Sequence, residues 1–352
     1  MPPHLHLASP PIDAVPTPPP TARPPHVFSA TGRWNPGRAG CVVAVGNFDG
    51  VHVGHAAIAR RLVARAEATG VASVAVTFHP HPSTILRPDA APPALTTPRR
   101  RAELLAQLGV DAVVVQPADR ALLAEAPETF FADMLVGRLG ARAIVEGADF
   151  RFGAGRRGDV ELLGGLCAAA GIPLDVVPPV IDGAGLVSSS RLRRLLAAGD
   201  VASANRLLTA CYRISGRVVE GAKRGRTLGF PTANLSAIAT LLPAGGVYAA
   251  RVAVADDAHA GSVWPAAVHV GPSVTFGATE PTVEAHLLGF RGDLYGTVVH
   301  VDFVERLRDT RGFSSVDDLV AQLTADAARA AVSVGAPATA VVPESLTPTE
   351  GR

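Results

Sequence analysis

The sequence predicts two folded domains in series, an N-terminal α/β domain with a doubly wound parallel sheet and a C-terminal antiparallel β-barrel with a terminal helix. Apolar, β-branched runs alternate with helical stretches as far as residue 208, which is the order typical of a parallel sheet. From residue 209 the runs are short and alternating, with Gly- and Pro-rich turns between them, which indicates a barrel. A chain of 352 residues, 48% of them apolar, is long enough for two such cores.

The predicted strands of the first domain are short apolar runs, and they lie at 41–45, 71–78, 111–115, 143–145 and 174–177. The helical stretches between them lie at 55–68, 98–108, 127–139 and 159–170. A further helix at 191–198 follows serines that can cap it and precedes Gly199, which can end it. Parallel sheets of this kind bind ligands beyond the carboxyl ends of their strands.

The predicted barrel strands alternate apolar and polar residues, and they lie at 212–220, 246–253, 266–270, 283–288 and 297–303. A final helix at 315–330 has Ser314 or Ser315 as its N-cap. Ten of the first 25 residues are proline, so we expect residues 1–37 to be an extended or disordered extension. Residues 334–352 read as a tail, which leaves the domains at 38–208 and 209–333.

The composition excludes several classes of function. Lys223 is the only lysine, and it follows Ala222, so no G-x-x-x-x-G-K-[ST] phosphate loop is present. A net charge of +1 gives no general attraction to nucleic acid. Three scattered cysteines indicate a reducing cytoplasm, and no apolar run is long enough to predict a membrane span. The sequence does not report the oligomeric state.

The loop after the first strand, residues 46–55, reads G-N-F-D-G-V-H-V-G-H and leads into a helix. Its glycines allow close approach of the backbone, and the helix start offers free N–H groups to an anion. His52 and His55 can donate hydrogen bonds to phosphate oxygens. Two alternatives remain open here: a pair of surface histidines on a turn, and a metal chelate that lacks a third ligand nearby in sequence.

A second anion site is predicted where Ser188, Ser189 and Ser190 precede the helix that carries Arg193. A helix N-terminus and a guanidinium group together suit the phosphates of a nucleotide. The alternative is an ordinary serine-capped amphipathic helix.

The barrel half contains the string G-A-K-R-G-R-T-L-G-F-P-T-A-N-L at 221–235. Thr232 and Asn234 face the same way on an extended segment, and their oxygen atoms suit Mg²⁺ bound to ATP. Glu284 lies among apolar residues of a predicted strand, where it could act as a general base. The alternatives are a Gly/Pro turn and an outward-facing carboxylate.

These strings resemble, in order, the motifs of bacterial bifunctional riboflavin kinase/FAD synthetases. Residues 46–55 are similar to the nucleotidyltransferase signature of that family, and 221–235 and 282–288 (T-V-E-A-H-L-L) are similar to its kinase domain. The other matching segments are T-F-H-P-H-P at 77–82, L-T-T at 95–97, G-A-D-F-R-F-G at 147–153 and S-S-S-R-L-R at 188–193. The resemblance covers roughly residues 38–333.

The resemblance implies phosphorylation of riboflavin to FMN in the barrel and adenylyl transfer from ATP to FMN, giving FAD, in the first domain. It implies Mg²⁺ as the metal ion, with Thr232 and Asn234 as ligands, and His52, His55 and Glu284 as catalytic residues. It implies flavin contacts by Asp149, Glu284 and Arg306. The implied ATP-binding residues are Gly46, Asn47, Phe48, Gly54, Ser188, Ser189, Arg193, Gly221, Gly225, Arg226, Thr232 and Asn234. Small molecules are thus the expected partners, with no nucleic acid and no membrane.

The kinase half departs from the family pattern at several positions. His269 replaces an Asn, Val274 after Ser273 replaces a Pro, and Gly289 replaces an Asp. Two hypotheses follow from these departures: weakened kinase activity, or a paralogue that acts on a modified flavin. Two other classes also stay open, a non-catalytic flavin-binding regulator and a nucleotidyltransferase for another phosphorylated substrate.

Overall fold

The computed structural model describes residues 26–29, 39–221, 224–272 and 281–335, and a six-stranded parallel sheet forms its first domain. The strands are β1 (His26–Ser29), β2 (Cys41–Val45), β3 (Ala72–His79), β4 (Ala112–Pro117), β5 (Ala141–Gly147) and β6 (Leu174–Val177). They lie in the order β1-β4-β3-β2-β5-β6, and every pairing is parallel, as predicted.

Helices cover both faces of this sheet. They are α1 (Val53–Thr69), α2 (Pro82–Leu86), α3 (Pro98–Gln107), α4 (Arg120–Ala124), α5 (Pro127–Thr129), which continues as a π-helix (Phe130–Arg138), and α6 (Val160–Ala170). Val42 and Ala44 pack against α1 and α3 on one face. Val43 and Val45 alternate to the other face and pack against the π-helix and α6. The prediction of a doubly wound sheet is therefore confirmed.

The sheet changes direction between β2 and β5. The chain runs from β2 through β3 and β4 towards one edge, whereas β5 and β6 extend the sheet on the other side of β2. Connections leave the carboxyl ends of β2 and β5 in opposite directions, which opens a crevice between them. The loop that follows β2 starts at this crevice.

Strand β1 corrects one sequence expectation. His26–Ser29 lies within the extension predicted at residues 1–37, yet it pairs with β4 from Ala112 to Val115 at the sheet edge. These four residues are extended, but they belong to the sheet rather than to a disordered segment. The free edge of β4 offers hydrogen-bond partners from far along the chain, which local composition cannot reveal.

The second domain is a closed barrel of six antiparallel strands. They are β9 (Arg213–Val219), β10 (Ala233–Ser236), β11 (Gly246–Val254), β12 (Val263–Pro272), β13 (Pro281–Leu287) and β14 (Val298–Arg308), in the order β10-β13-β12-β11-β14-β9. Five were predicted from their alternation. Strand β10 was not predicted as a strand because it has only four residues and directly follows a Gly- and Pro-rich loop.

A hairpin and two helices connect the domains: β7 (Ile181–Asp182), β8 (Gly185–Leu186), α7 (Ser189–Ala197) and α8 (Val201–Leu207). The apolar faces of α7 and α8 lie in one hydrophobic cluster with the barrel interior, where Leu192 and Leu196 join Tyr248 and Phe303. Sequence reasoning placed these helices within the first domain, at 38–208. In the structure they pack against the barrel.

A short helix, α9 (Arg224–Thr227), precedes β10, and a long one, α10 (Val316–Ser333), closes the fold. Ser315 caps α10 by accepting a hydrogen bond from the backbone N–H of Asp318, as predicted. Ala327, Ala330 and related residues of α10 cover the outer face of the barrel. Within the described residues, no helix is long and apolar enough to cross a membrane.

Candidate active sites

Strand β2 ends in a tight turn with a left-handed backbone at three positions. Phe48 has φ 45°, Gly50 has φ 88° and Val51 has φ 42°. Glycine accepts this conformation readily, but phenylalanine and valine reach it only when the surrounding contacts enforce it. The turn is therefore held in place by tertiary contacts, and it delivers His52 to the start of α1.

His52 is the N-cap of α1. Its Nδ1 atom accepts a hydrogen bond from the backbone N–H of His55 at 3.3 Å, and the two imidazole rings stack with centroids 3.6 Å apart. Because Nδ1 is the acceptor, neutral His52 carries its proton on Nε2. That N–H group is the donor that His52 can offer to a ligand. Helix α1 thus starts two residues earlier than predicted.

Burial keeps both imidazoles uncharged at neutral pH. Desolvation lowers the pKa of His52 to about 4, although Asp149 and Asp49 act in the opposite direction. Desolvation also lowers the pKa of His55 well below its ordinary value, with smaller contributions from His52 and Arg101. The two histidines can therefore offer an anion hydrogen-bond donors rather than positive charge.

Asp49 connects the segments around the turn, and sequence reasoning missed it. Its carboxylate is 2% exposed and accepts hydrogen bonds from the backbone of Leu95 and Thr96 and from the Thr96 hydroxyl. Arg193 Nη2 lies 2.5 Å from one of its oxygens and Arg101 Nη2 lies 3.3 Å from the other. A single buried charge thus holds together the turn, the L-T-T segment and α7.

Three side chains at the start of α7 make different contacts. Ser188 is the N-cap, and its oxygen accepts from the backbone N–H of Arg191. Ser189 donates its hydroxyl proton to the Asp49 carbonyl at 2.7 Å. The Arg193 guanidinium donates to Asp49 and to the Pro93 carbonyl. Arg193 was expected at the phosphates, but its contacts are those of a residue that positions the turn.

A cavity of about 450 Å³ opens at the carboxyl ends of β2 and β5. Nine of the ten residues predicted for the first site line it, and Arg193 is the exception. Those nine are Gly46, Asn47, Phe48, His52, Gly54, His55, Asp149, Ser188 and Ser189. Gly54 has to be small, since a Cβ there would lie 3.0 Å from the His52 ring.

The floor of this cavity contains a carboxyl group that the sequence reasoning did not select. Glu146 is 2% exposed, lines the cavity and accepts a hydrogen bond from the backbone N–H of Val45 at 2.7 Å. A charge among apolar strand residues singled out Glu284, and the run A-I-V-E-G carries the same signal. Asp49 has no such local signal, because its partners lie 46 to 144 residues away.

In the barrel, three polar side chains form a row across neighbouring strands. Glu284 on β13 pairs with Asn234 on β10 at one side and with His269 on β12 at the other. Val283 and Ala285 are fully buried inside the barrel, so Glu284 and its two neighbours face outward. Side chains opposite one another in this way have Cβ atoms about 5 Å apart.

The loop before β10 folds onto this row. A Cβ on Gly221 would lie 2.1 Å from the Asn234 amide nitrogen, and a Cβ on Gly225 would lie 2.3 Å from the Phe230 carbonyl. The backbone N–H of Phe230 donates to the Gly225 carbonyl at 2.8 Å. Gly221 therefore lies against Asn234 and Gly225 against Phe230, and only glycine permits these approaches.

Arg306 lies apart from the Glu284 row. It is opposite the interior residue Tyr248 in the β11–β14 register, donates to the Gly245 carbonyl, and closely approaches Gly199 between α7 and α8. Burial lowers the pKa of His269, Glu284 raises it, and the charge of Arg308 lowers it further. Arg308 is thus the arginine whose charge acts on this row of side chains. The flavin contact of Arg306 stays a prediction.

The remaining predicted positions are less informative. Arg226 lies on α9 and is exposed. Gly289 follows β13 with φ 75°, a conformation that an Asp at this position would adopt less readily. Lys223, Ser273 and Val274 lie outside the described residues.

Comparison with known proteins covers both domains. A family model described as FAD synthetase matches residues 35–191, and one described as riboflavin kinase matches residues 208–334. The protein named bifunctional riboflavin kinase/FMN adenylyltransferase from Escherichia coli K12 is 36% identical over 287 residues, which are 82% of this chain and 90% of that one. Its namesake from Pseudomonas fluorescens is 38% identical over 298 residues, covering 84% and 93%.

A solved structure shares the fold over most of the chain. The crystal structure of a protein from Streptococcus pneumoniae named macrolide-efflux protein has a TM-score of 0.75 at 32% identity and covers 85% of this chain and 97% of that one. The name refers to that protein, and what the comparison shows for this chain is the two-domain architecture.

Proposed function

Since the chain belongs to the family of bifunctional riboflavin kinases/FMN adenylyltransferases, we propose that it makes FAD from riboflavin in two ATP-dependent steps. The observation that supports this most strongly is that nine of ten predicted residues of the first site line one cavity. The pairing of Asn234 with Glu284 across neighbouring barrel strands, with Thr232 two residues before Asn234, separately supports the kinase step.

The barrel phosphorylates riboflavin. The Glu284 carboxylate takes the proton of the ribityl 5′-hydroxyl, the oxygen attacks the γ-phosphorus of ATP, and ADP leaves. Thr232 and Asn234 supply a hydroxyl and an amide oxygen, a donor set that fits Mg²⁺, which commonly takes few protein ligands and completes its shell with phosphates and water. When bound, Mg²⁺ neutralises phosphate charge.

The first domain transfers the adenylyl group. A phosphate oxygen of FMN attacks the α-phosphorus of ATP, and the bond to the β-phosphate breaks to release pyrophosphate. His52 donates from Nε2 to a reacting phosphate oxygen, and the first N–H groups of α1 add further donors. Ser188 can donate its hydroxyl proton to the leaving group, whereas Ser189 and Arg193 hold the turn through Asp49.

Three free cysteines, Cys41, Cys167 and Cys211, support a cytoplasmic location as part of this proposal. Burial raises the pKa of the Cys41 thiol to about 12, so it is a structural rather than a reactive group. The net charge of +1 supports small-molecule partners without nucleic acid.

Purified protein incubated with riboflavin, ATP and Mg²⁺ should give FMN and then FAD by chromatography. Absence of both products would refute the proposal. His52→Ala should remove only FAD formation and Glu284→Ala only FMN formation, and loss of both activities in either variant would contradict the assignment of two sites. FAD from supplied FMN, without FMN from riboflavin, would instead identify a paralogue with an impaired kinase.

A further inference from the structure

Glu146 is a buried carboxyl group at the adenylyl-transfer site for which the proposed chemistry has no use. It is 2% exposed and lines the cavity together with His52 and His55. A carboxyl group in such a place costs stability unless its oxygens find partners, so its position calls for a functional explanation.

Glu146 lies at the crevice between β2 and β5. The last paired residues of these strands are Val43 and Ile144, and beyond them the strands part. Beyond that point, an oxygen of the Glu146 carboxyl group accepts the hydrogen bond from the backbone N–H of Val45 at 2.7 Å. Within the described residues, its other oxygen makes no hydrogen bond to a protein group, and the Glu146 side chain lines the cavity.

Burial favours the protonated form of the Glu146 carboxyl group. Burial raises the pKa of Glu146 well above its ordinary value, the hydrogen bond from Val45 acts against this, and Asp149 raises the pKa further. The other titratable groups that line the cavity are Asp149, Arg151, Arg156 and three histidines, His52, His55 and His81, whose pKa values burial lowers. In the protonated form, with one oxygen accepting from Val45, the remaining oxygen carries the O–H group and is a donor.

The surroundings suit a flat ring better than a phosphate. Ile58, Phe150 and Val177 line the same cavity, and Phe150 stacks on Phe152 with centroids 5.3 Å apart. Both substrates of the proposed reaction carry a heteroaromatic ring with acceptor atoms, namely the ring nitrogens of adenine and the carbonyl oxygens of isoalloxazine. A neutral O–H donor among apolar side chains is the arrangement by which such rings are recognised.

We propose that the Glu146 carboxyl group donates a hydrogen bond to a ring acceptor of one heteroaromatic substrate, adenine or isoalloxazine, and so determines specificity in FAD formation. The inference rests on the proposed function. It assigns to Glu146 the binding of a base ring, in addition to its bond to Val45. A site that presents a buried donor discriminates against analogues without the matching acceptor.

The test is the steady-state kinetics of FAD formation from supplied FMN and ATP, with each substrate varied in turn. Glu146→Leu should raise KM about tenfold for one substrate and leave KM for the other within about twofold, as expected for one lost hydrogen bond. Glu146→Gln keeps an acceptor for Val45 and an N–H donor for the ring, so it should restore KM. Which substrate shows the increase identifies the ring.

A core substitution distant from the cavity separates this effect from instability. Cys167→Ala removes a buried group from α6, which does not line the cavity, and it should lower the unfolding temperature without changing either KM. Unchanged KM values in Glu146→Leu, an equal rise for both substrates, or a Gln variant as impaired as the Leu variant would each overturn the inference. Failure of the unaltered protein to form FAD would refute the proposed function instead.

Discussion

Replacing Asp49 by asparagine should destabilise the first domain more than any substitution of a surface charge. The change removes the one negative charge that lies against two guanidinium groups, those of Arg101 and Arg193. Both arginines are largely buried, with side chains 6% and 15% exposed, so water cannot replace the lost carboxylate. Asparagine keeps one acceptor for the backbone of Leu95 and Thr96, so the missing charge dominates the effect.

Removing one partner of a buried ion pair costs about 3–5 kcal/mol, which is a large fraction of the roughly 5–15 kcal/mol that stabilises a domain. For a domain of this size, that corresponds to a fall in the unfolding temperature of roughly 6–20 °C. Because Asp49 also fixes the turn that carries His52, FAD formation should decrease more than FMN formation. Calorimetry and the two product assays measure these effects.

Asp182→Asn is the matched control. Its carboxylate also pairs with an arginine of α7, Arg191, but it is 35% exposed, so water compensates for the lost charge. It should change the unfolding temperature much less than Asp49→Asn. A shift for Asp49→Asn no larger than that of this control would refute the reasoning that the buried charge holds the three segments together.

Glu146→Gln should be more stable than the unaltered protein at pH 8, and the difference should shrink towards pH 4.5, as measured by urea unfolding. Burial raises the pKa of Glu146 above its ordinary 4.5, so as pH rises the unfolded chain loses this proton first and the folded state loses stability. Gly221→Ala should reduce FMN formation more than tenfold without affecting FAD formation from supplied FMN, because its Cβ would displace Asn234. Thr209→Val removes the hydroxyl that donates to the Val51 carbonyl at 2.9 Å, and should slow FAD formation about fivefold while sparing the kinase.

Each of these three predictions would be contradicted by a specific result. A stability difference for Glu146→Gln that does not depend on pH would show that the carboxyl group is ionised in the folded protein. Gly165→Ala is the control for Gly221→Ala, since a Cβ on Gly165 would meet nothing within 4 Å, and equal effects of the two changes would contradict the steric argument. Equal losses of both products in Thr209→Val would indicate a general loss of folding.

Local sequence rules predicted the parts of the fold that short-range physics determines. Strand β2 was predicted with its observed bounds because five apolar residues end at a glycine. Ser188 and Ser315 were among the serines predicted as caps, because a cap depends only on the three residues that follow it. Nine residues that line the first cavity were predicted for a similar reason, since each lies in a short string at a strand or helix end.

The missed features depend on partners far along the chain. Asp49 is fixed by an ion pair with Arg193, which lies 144 residues later in the chain. Strand β1 forms because it pairs with the open edge of β4. The proximity of Arg306 to the turn between α7 and α8 was likewise not predicted, because it depends on the strand register. Strand register and tertiary pairing cannot be predicted from the local periodicity of the sequence.

The hydrophobic cluster that α7 and α8 share with the barrel has a consequence for both substrates. Because Leu192 and Leu196 lie in the same core as Tyr248 and Phe303, exposing that core unfolds the start of α7 together with the barrel. A ligand that binds only the folded state stabilises everything that must unfold with its site. Riboflavin bound to the barrel would therefore protect the Ser188–Ser189 end of the other active site against heat and proteolysis, without any change of shape passing between the two.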